Sequence, residues 1–332
     1  MNRRLLFITV LLCTMLAPLI SSAHVKWFTE EAASKESIVN ILSPFFIAFA
    51  LLVAIVLATI PQLLPSLMNL EIAKKIEEKL AGLRIYSGHL LKYGTALALA
   101  IQSFSGSMFA PEFSITEPSQ QIAFWFAIVL LLIPHHYATK LASIVLLSLF
   151  IMVWSYTGWF HMLDYGFYMA IFFVLLVGKS KWENWGFPFL YLGTGLSLCW
   201  VAVEKWVYPA MTLDIIERHA VPTFGFEPSI FIVMAAFIEF VVGYLLVVGI
   251  LNRLLAALVT ILFILTSMLF GITEIIGHAM IHIILLIFII EGVSFYYPPI
   301  KMHKSRIDQM IFVFLNFLFV LATFILIYFR FA

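Results

Sequence analysis

Residues 229–273 read SIFIVMAAFIEFVVGYLLVVGILNRLLAALVTILFILTSMLFGIT, and Glu239 and Arg253 are the charged residues in the whole stretch. A helix that crosses a membrane needs about 20 predominantly apolar residues. Two such helices fit here, 229–250 and 253–273, joined by a short turn carrying Asn252 and Arg253. Both are apolar around their whole circumference, which suits lipid rather than a water-facing helix.

The same pattern continues in both directions. Spans are expected at 43–63, 86–104, 119–134, 139–159, 163–178, 187–209, 229–250, 253–273, 277–296 and 309–330. Composition agrees: 63% of the residues are hydrophobic and 11% charged, against about 45–50% and 25% in soluble domains. The fold class expected is an all-α polytopic membrane protein of about ten transmembrane helices.

Residues 1–23 read as a secretory signal peptide. Arg3 and Arg4 precede an apolar run from Leu5 to Ile20, and Ser21 and Ala23 supply small residues at −3 and −1 of a cleavage site. Cleavage there makes His24 the new N-terminus, whose amine and imidazole together form a good nitrogen pair for copper. Cys13 leaves with the leader and Cys199 stands alone, so the mature chain holds no internal disulfide.

With His24 outside, Lys74, Lys75, Lys79, Arg84, Lys140, Lys179, Lys181, Arg253, Lys301, Lys304 and Arg306 fall in inside loops. The outside segments carry only Lys26, Lys35, Lys205, Arg218 and Arg330. This bias predicts a bacterial inner-membrane protein with a periplasmic mature N-terminus. The charged stretch Leu67–Arg84 is expected to be an amphipathic helix on the inner surface.

Residues 86–178 and 187–292 follow one plan: helix, outside loop, helix, short basic turn, helix, tight outside turn, helix. Both units begin on the same side, as parallel repeats do. Aligning Gly178 with Gly292 sets Asp164 opposite His278 and Tyr168 opposite His282. The organisation expected is 1–23 signal; 24–85 outer segment, first helix and amphipathic linker; 86–178 first four-helix unit; 187–296 second unit; and 297–332 loop and last helix.

The second unit carries Val201-Ala202-Val203-Glu204-Lys205 up to Pro209, then Phe237-Ile238-Glu239-Phe240-Val241-Val242-Gly243, Leu245 to Gly249, Asn252-Arg253 and Ala256-Ala257. On these residues it resembles the DoxX/DoxD-like family of four-helix membrane proteins. The first unit reads as a degenerate copy without a counterpart of Glu239. The resemblance implies a four-helix fold and a membrane-redox or envelope-stress setting, and one family branch is a thiosulfate:quinone oxidoreductase subunit.

Glu274, His278 and His282, spaced i, i+4, i+8, lie along one side of the ninth helix. They suit a metal, a proton relay or hydrogen bonds across the bundle. His161 and Asp164 occupy the matching turn of the first unit, as a cap or as the other wall of a shared polar cavity near the outer surface. Glu239 falls near mid-membrane, where a charge costs roughly 2.5–3.5 kcal/mol on insertion scales. Its expected partner is Glu204 or His282. Glu204 and Lys205, adjacent on a helix, must find separate neighbours, and Glu204 with Glu239 forms the candidate cofactor-binding pair. The metal candidates are His24, His278, His282, Glu274, His161 and Asp164. The cofactor expected is copper, ahead of quinone or heme. Trp27 and Phe28 are expected to hold the N-terminus over the bundle, near His161, His278 or His219. Residues 211–228 should form a short amphipathic helix at its mouth.

Three classes follow: a redox- or metal-associated membrane protein with an outward-facing His/carboxylate site, a small-solute or proton-coupled transporter, and a non-catalytic scaffold or assembly factor. If the chain is catalytic, it is a quinone-linked oxidoreductase subunit. Its partners are the lipid bilayer and a membrane redox protein or a second copy. No phosphate-binding loop, nucleophile motif, heme-attachment cysteine pair or nucleic-acid signature is present.

Overall fold

The computed structural model describes residues 25–292 and 305–332. The expected signal peptide, His24 and residues 293–304 lie outside the described residues. Twelve helices carry the architecture: α1 Pro44–Met68, α2 Glu71–Ala81, α3 Ser87–Phe104, α4 Pro118–Leu132, α5 His136–Thr157, α6 Gly166–Val177, α7 Gly186–Val207, α8 Pro209–Arg218, α9 Pro228–Val248, α10 Asn252–Phe270, α11 Ile272–Glu291 and α12 Arg306–Phe331. A β-hairpin joins α3 to α4, with β1 Ser107–Met108 antiparallel to β2 Ala110–Ser114. Proline opens α1, α4, α8 and α9, where its missing N–H has no intrahelical partner to lose.

Among the described residues, eight helices are long and apolar enough to cross a membrane. The chain is an all-α polytopic membrane protein. The expected spans 86–104 and 119–134 are the two that fall short. Both are helical, but α3 is diluted by Ser87, His89, Lys92, Thr95, Gln102 and Ser103, and α4 has only 15 residues. Five of those six α3 residues, all but His89, are buried, so α3 draws its stability from neighbouring helices rather than from lipid.

The helices of residues 87–291 close into a ring. α3 packs on α4, α4 on α5 and α5 on α6; α6 packs on α7, α7 on α9, α10 on α11, and α11 returns to α3. The last helix of each unit thus rests on the first helix of the other. α1 and α12 pair with each other along the outside of α7 and α9. α7 and α9 approach closely because Gly195 faces Gly243: a Cβ on either would sit 2.6 Å from the other's carbonyl oxygen. Small residues at a helix crossing let backbones approach in this way.

α8 lies across the ends of α9 and α10. Its Met211, Ile215 and Ile216 bury against Phe231, Ile232 and Phe270, forming the short mouth helix expected for this loop. At the opposite end α2 buries none of its residues. It is held there by Glu77, which pairs with Arg84 and with Arg253 Nη1 at 2.6 Å.

Candidate functional site

The chain enters the bundle at its α8 end. A 3-10 turn at Val25–Trp27 lies in the bundle mouth. Lys26 inserts between two buried carboxylates, contacting Asp164 and lying 3.0 Å from Glu204. Burial pushes its ammonium down, but the two carboxylates more than offset this and hold it above the usual lysine range. Trp27 Nε1 donates to the Tyr165 hydroxyl at 2.9 Å, and the Trp27 ring lies 5.0 Å from the His278 ring. Gly277 makes room for that indole, since a Cβ there would sit 2.0 Å from it. Phe28 packs on Phe270 at 4.8 Å and meets His219 edge-on at 5.9 Å. Thr29 Oγ1 and the Glu30 amide both donate to Asp214 Oδ2, at 2.9 and 3.0 Å. Arg218 of α8 bridges Glu30 and Asp214 at 2.7 Å each.

Beneath this plug lies a cavity of about 70 Å³. Trp27 roofs it, Phe167, Val242, Leu262 and Ile281 give apolar wall, and Asp164, Lys205, Glu239 and His278 give polar wall. Lys205 donates to Glu239. Glu274 is fully buried, one helical turn from His278, whose Nδ1 lies 3.0 Å from its carboxylate. Phe263 stacks flat on the His278 ring at 4.4 Å and fixes its plane.

A second polar chain runs outward from the first unit. Tyr165, which accepts from Trp27, donates to Glu112 of β2. Glu112 also meets His161 Nε2 at 3.0 Å. Burial raises the Glu112 carboxyl, but His161, Tyr165 and Lys26 outweigh it and hold the group below the usual carboxylate range. The hairpin is pinned from below: Tyr168 donates to the Phe109 carbonyl at 2.7 Å, and Gln102 Nε2 to the same carbonyl at 2.9 Å.

The structure brings Asp164 and His278, paired by the internal repeat, onto one cavity. Glu204 and Lys205 do find separate neighbours, Lys26 and Glu239. The expected partners of Glu239 are corrected. The helix turns Glu204 toward the N-terminal segment, and Lys205, one residue on, meets Glu239. His282 is half-buried with its ring edge-on to Phe263 at 6.1 Å. Among the described residues no three His, Cys, Asp or Glu side chains gather to hold a metal ion. Asp164 is taken by Lys26, His161 by Glu112, and His278 by Glu274. The metal set Glu274, His278, His282, His161 and Asp164 is therefore corrected to three separate acid–base pairs with His282 apart. His24, the remaining metal candidate, lies outside the described residues.

Lys26, Glu112 and Tyr165 were not legible as site residues. Glu112 does carry a signal: it is the one charged residue of the loop from Ser105 to Ile115. No family model, no curated protein and no solved structure matches this chain. The DoxX-like resemblance therefore stands on the quoted residues alone.

Proposed function

We propose that this is a proton-handling membrane protein, the transporter class among those left open by its sequence, with the chamber under Trp27 as its working site. One observation carries the reading: members of three acid–base pairs, Asp164, Lys205, Glu239 and His278, open on one cavity in the bundle interior. Ionisable side chains within a membrane are costly and mark ion and proton pathways. About 70 Å³ has room for a few waters, which need some 10–15 Å³ each. Protonation of one pair changes the field on the next, so a proton can pass between pairs without leaving a bare charge in lipid. Glu239 and Lys205 are the central exchange pair, His278 and Glu274 the second, and Lys26 is a fixed counter-charge for Asp164 and Glu204.

The test is proton flux into liposomes holding the full chain, driven by a potassium diffusion potential and read with an internal pH dye. Flux above protein-free vesicles, lost in Glu239→Gln, supports the reading. Wild-type vesicles no leakier than empty ones, or full flux in Glu239→Gln, would sink it.

A second reading is copper held by His24 as a mature N-terminus. The observation favouring it is that Lys26 and Trp27, two and three residues on, are fixed at the chamber mouth. N-terminal sequencing and copper analysis of the purified protein test it. Stoichiometric copper that disappears in His24→Ala supports it; an unprocessed terminus, or no copper after loading, removes it.

A further inference from the structure

At the other end of the bundle a pocket of about 350 Å³ opens between α3, α5, α6 and the start of α7. Its polar lining gathers the cations Lys92, Lys179 and Arg84 with the imidazoles of His89, His135 and His136. Arg84 shares Glu77 with Arg253. Among the described residues no carboxylate lies within ion-pair distance of the other five. Glu183, also at the rim, turns its carboxylate to the Lys179 amide at 3.0 Å. Lys92 is the telling member. It is 8% exposed, and its ammonium has a neutral partner, the Ile133 carbonyl at 2.6 Å. A buried ammonium without an anion is costly, and an anion in the pocket would relieve it. The N-terminus of α5, a helix of 22 residues, opens on the same space and adds its positive dipole end.

Leu91, Leu175 and Phe187 give the pocket apolar walls, with Ile85 at the exposed rim. Free phosphate has no use for such walls, whereas a lipid does. We propose that this pocket holds the phosphate headgroup of an anionic phospholipid, with the acyl chains lying along its apolar walls. Basic pockets between transmembrane helices on the cytoplasmic side recognise such headgroups. The positive charge at this end then has a specific partner, beyond its part in setting orientation.

The test is retention of added lipid by the detergent-purified full chain, read by native mass spectrometry. Phosphatidylglycerol or cardiolipin should be retained over phosphatidylcholine. Lys179 has φ +53°, so Lys179→Asn suits the left-handed backbone and removes one charge without straining the turn. It should weaken retention of the anionic lipid by about fivefold, as expected for one cation near a lipid surface. Lys92→Gln should weaken it at least as much, with circular dichroism checking that the variant folds. Equal retention of phosphatidylcholine, or unchanged retention in Lys179→Asn, overturns the proposal. Displacement of the lipid by millimolar inorganic phosphate overturns the lipid assignment in favour of a free phosphate ligand.

Discussion

Where the N-terminal segment enters the bundle, the lysines lie against carboxylates, Lys26 on Asp164 and Glu204 and Lys205 on Glu239, with His278 beside Glu274. At the far end Lys92 and Lys179 face a pocket with no carboxylate in ion-pair reach among the described residues, and Glu77 is shared between Arg84 and Arg253. At one end each buried lysine has a carboxylate of the chain; the other end leaves lysine charge for what lies outside the chain. The first arrangement is sensitive to losing a single partner, because breaking a buried pair strands a charge in low dielectric. The second is tolerant, because solvent and headgroups are at hand. The two ends should therefore respond to substitution on different scales.

The largest effect is expected at Lys26. Lys26→Met leaves Asp164 and Glu204 as two buried carboxylates without a cation, and loss of one member of a buried pair costs about 3–5 kcal/mol. Thermal unfolding of the detergent-solubilised protein should show a lower midpoint, largely restored when Asp164→Asn and Glu204→Gln are added. A single variant that melts with the wild type would mean that Lys26 is not a buried counter-charge, and the contrast between the ends would collapse.

A smaller and local effect is expected at Arg253. Its guanidinium donates to the carbonyls of Ile289 and Ile290, at 2.6 and 3.2 Å, and reaches Glu77 of α2. Hydrogen bonds to charged groups contribute about 1.5–3 kcal/mol, and partial exposure of Glu77 places Arg253→Gln at the low end. Because α2 buries no residue of its own, the loss should appear as faster hydrogen exchange over residues 71–81 while α11 keeps its protection. Unchanged exchange in α2 would show that this end does not depend on the Arg253 clasp.

Hydropathy made the helices legible, since apolar length is a local property of the chain. The Glu274–His278 pair was legible for the same reason: four residues along an α-helix turn the side chain by only about 40°. The step to His282 turns it about 40° further, enough to carry that ring off the cavity and onto the edge of Phe263. What stayed hidden were contacts made by tertiary closure. Lys26 meets Asp164 across a separation of 138 residues; the neighbouring Trp27 and Phe28 point the segment to the bundle mouth but name no partner for the lysine. Lys205 reads as a residue that must find its own neighbour, and the α7–α9 crossing at Gly195 and Gly243 brings it to Glu239. Glu112 reaches His161 and Tyr165 only because the hairpin folds over the first unit.

The smallest effect expected is the pH response of the plug. Glu112 sits below the usual carboxylate range when folded. Its contribution is therefore present above the unfolded value, about 4.3, and is lost as pH falls through the depressed one. Lys26 sits above the usual lysine range, so its contribution is complete below about 10.4 and is lost only as pH rises through the raised value. Between these limits neither of these two groups changes its charge. A 5-fluorotryptophan label, with Trp27→Phe to assign the signal, should give a constant ¹⁹F shift for Trp27 through neutral pH and changes only in strong acid or strong alkali. A shift centred near neutral pH would transfer control of the plug from Glu112 and Lys26 to another group beside it, Glu204 on Lys26 or the imidazoles of His161 and His278. Replacing each in turn would show which one, and the α8 end would then be a mouth switched near neutrality instead of one held closed across that range.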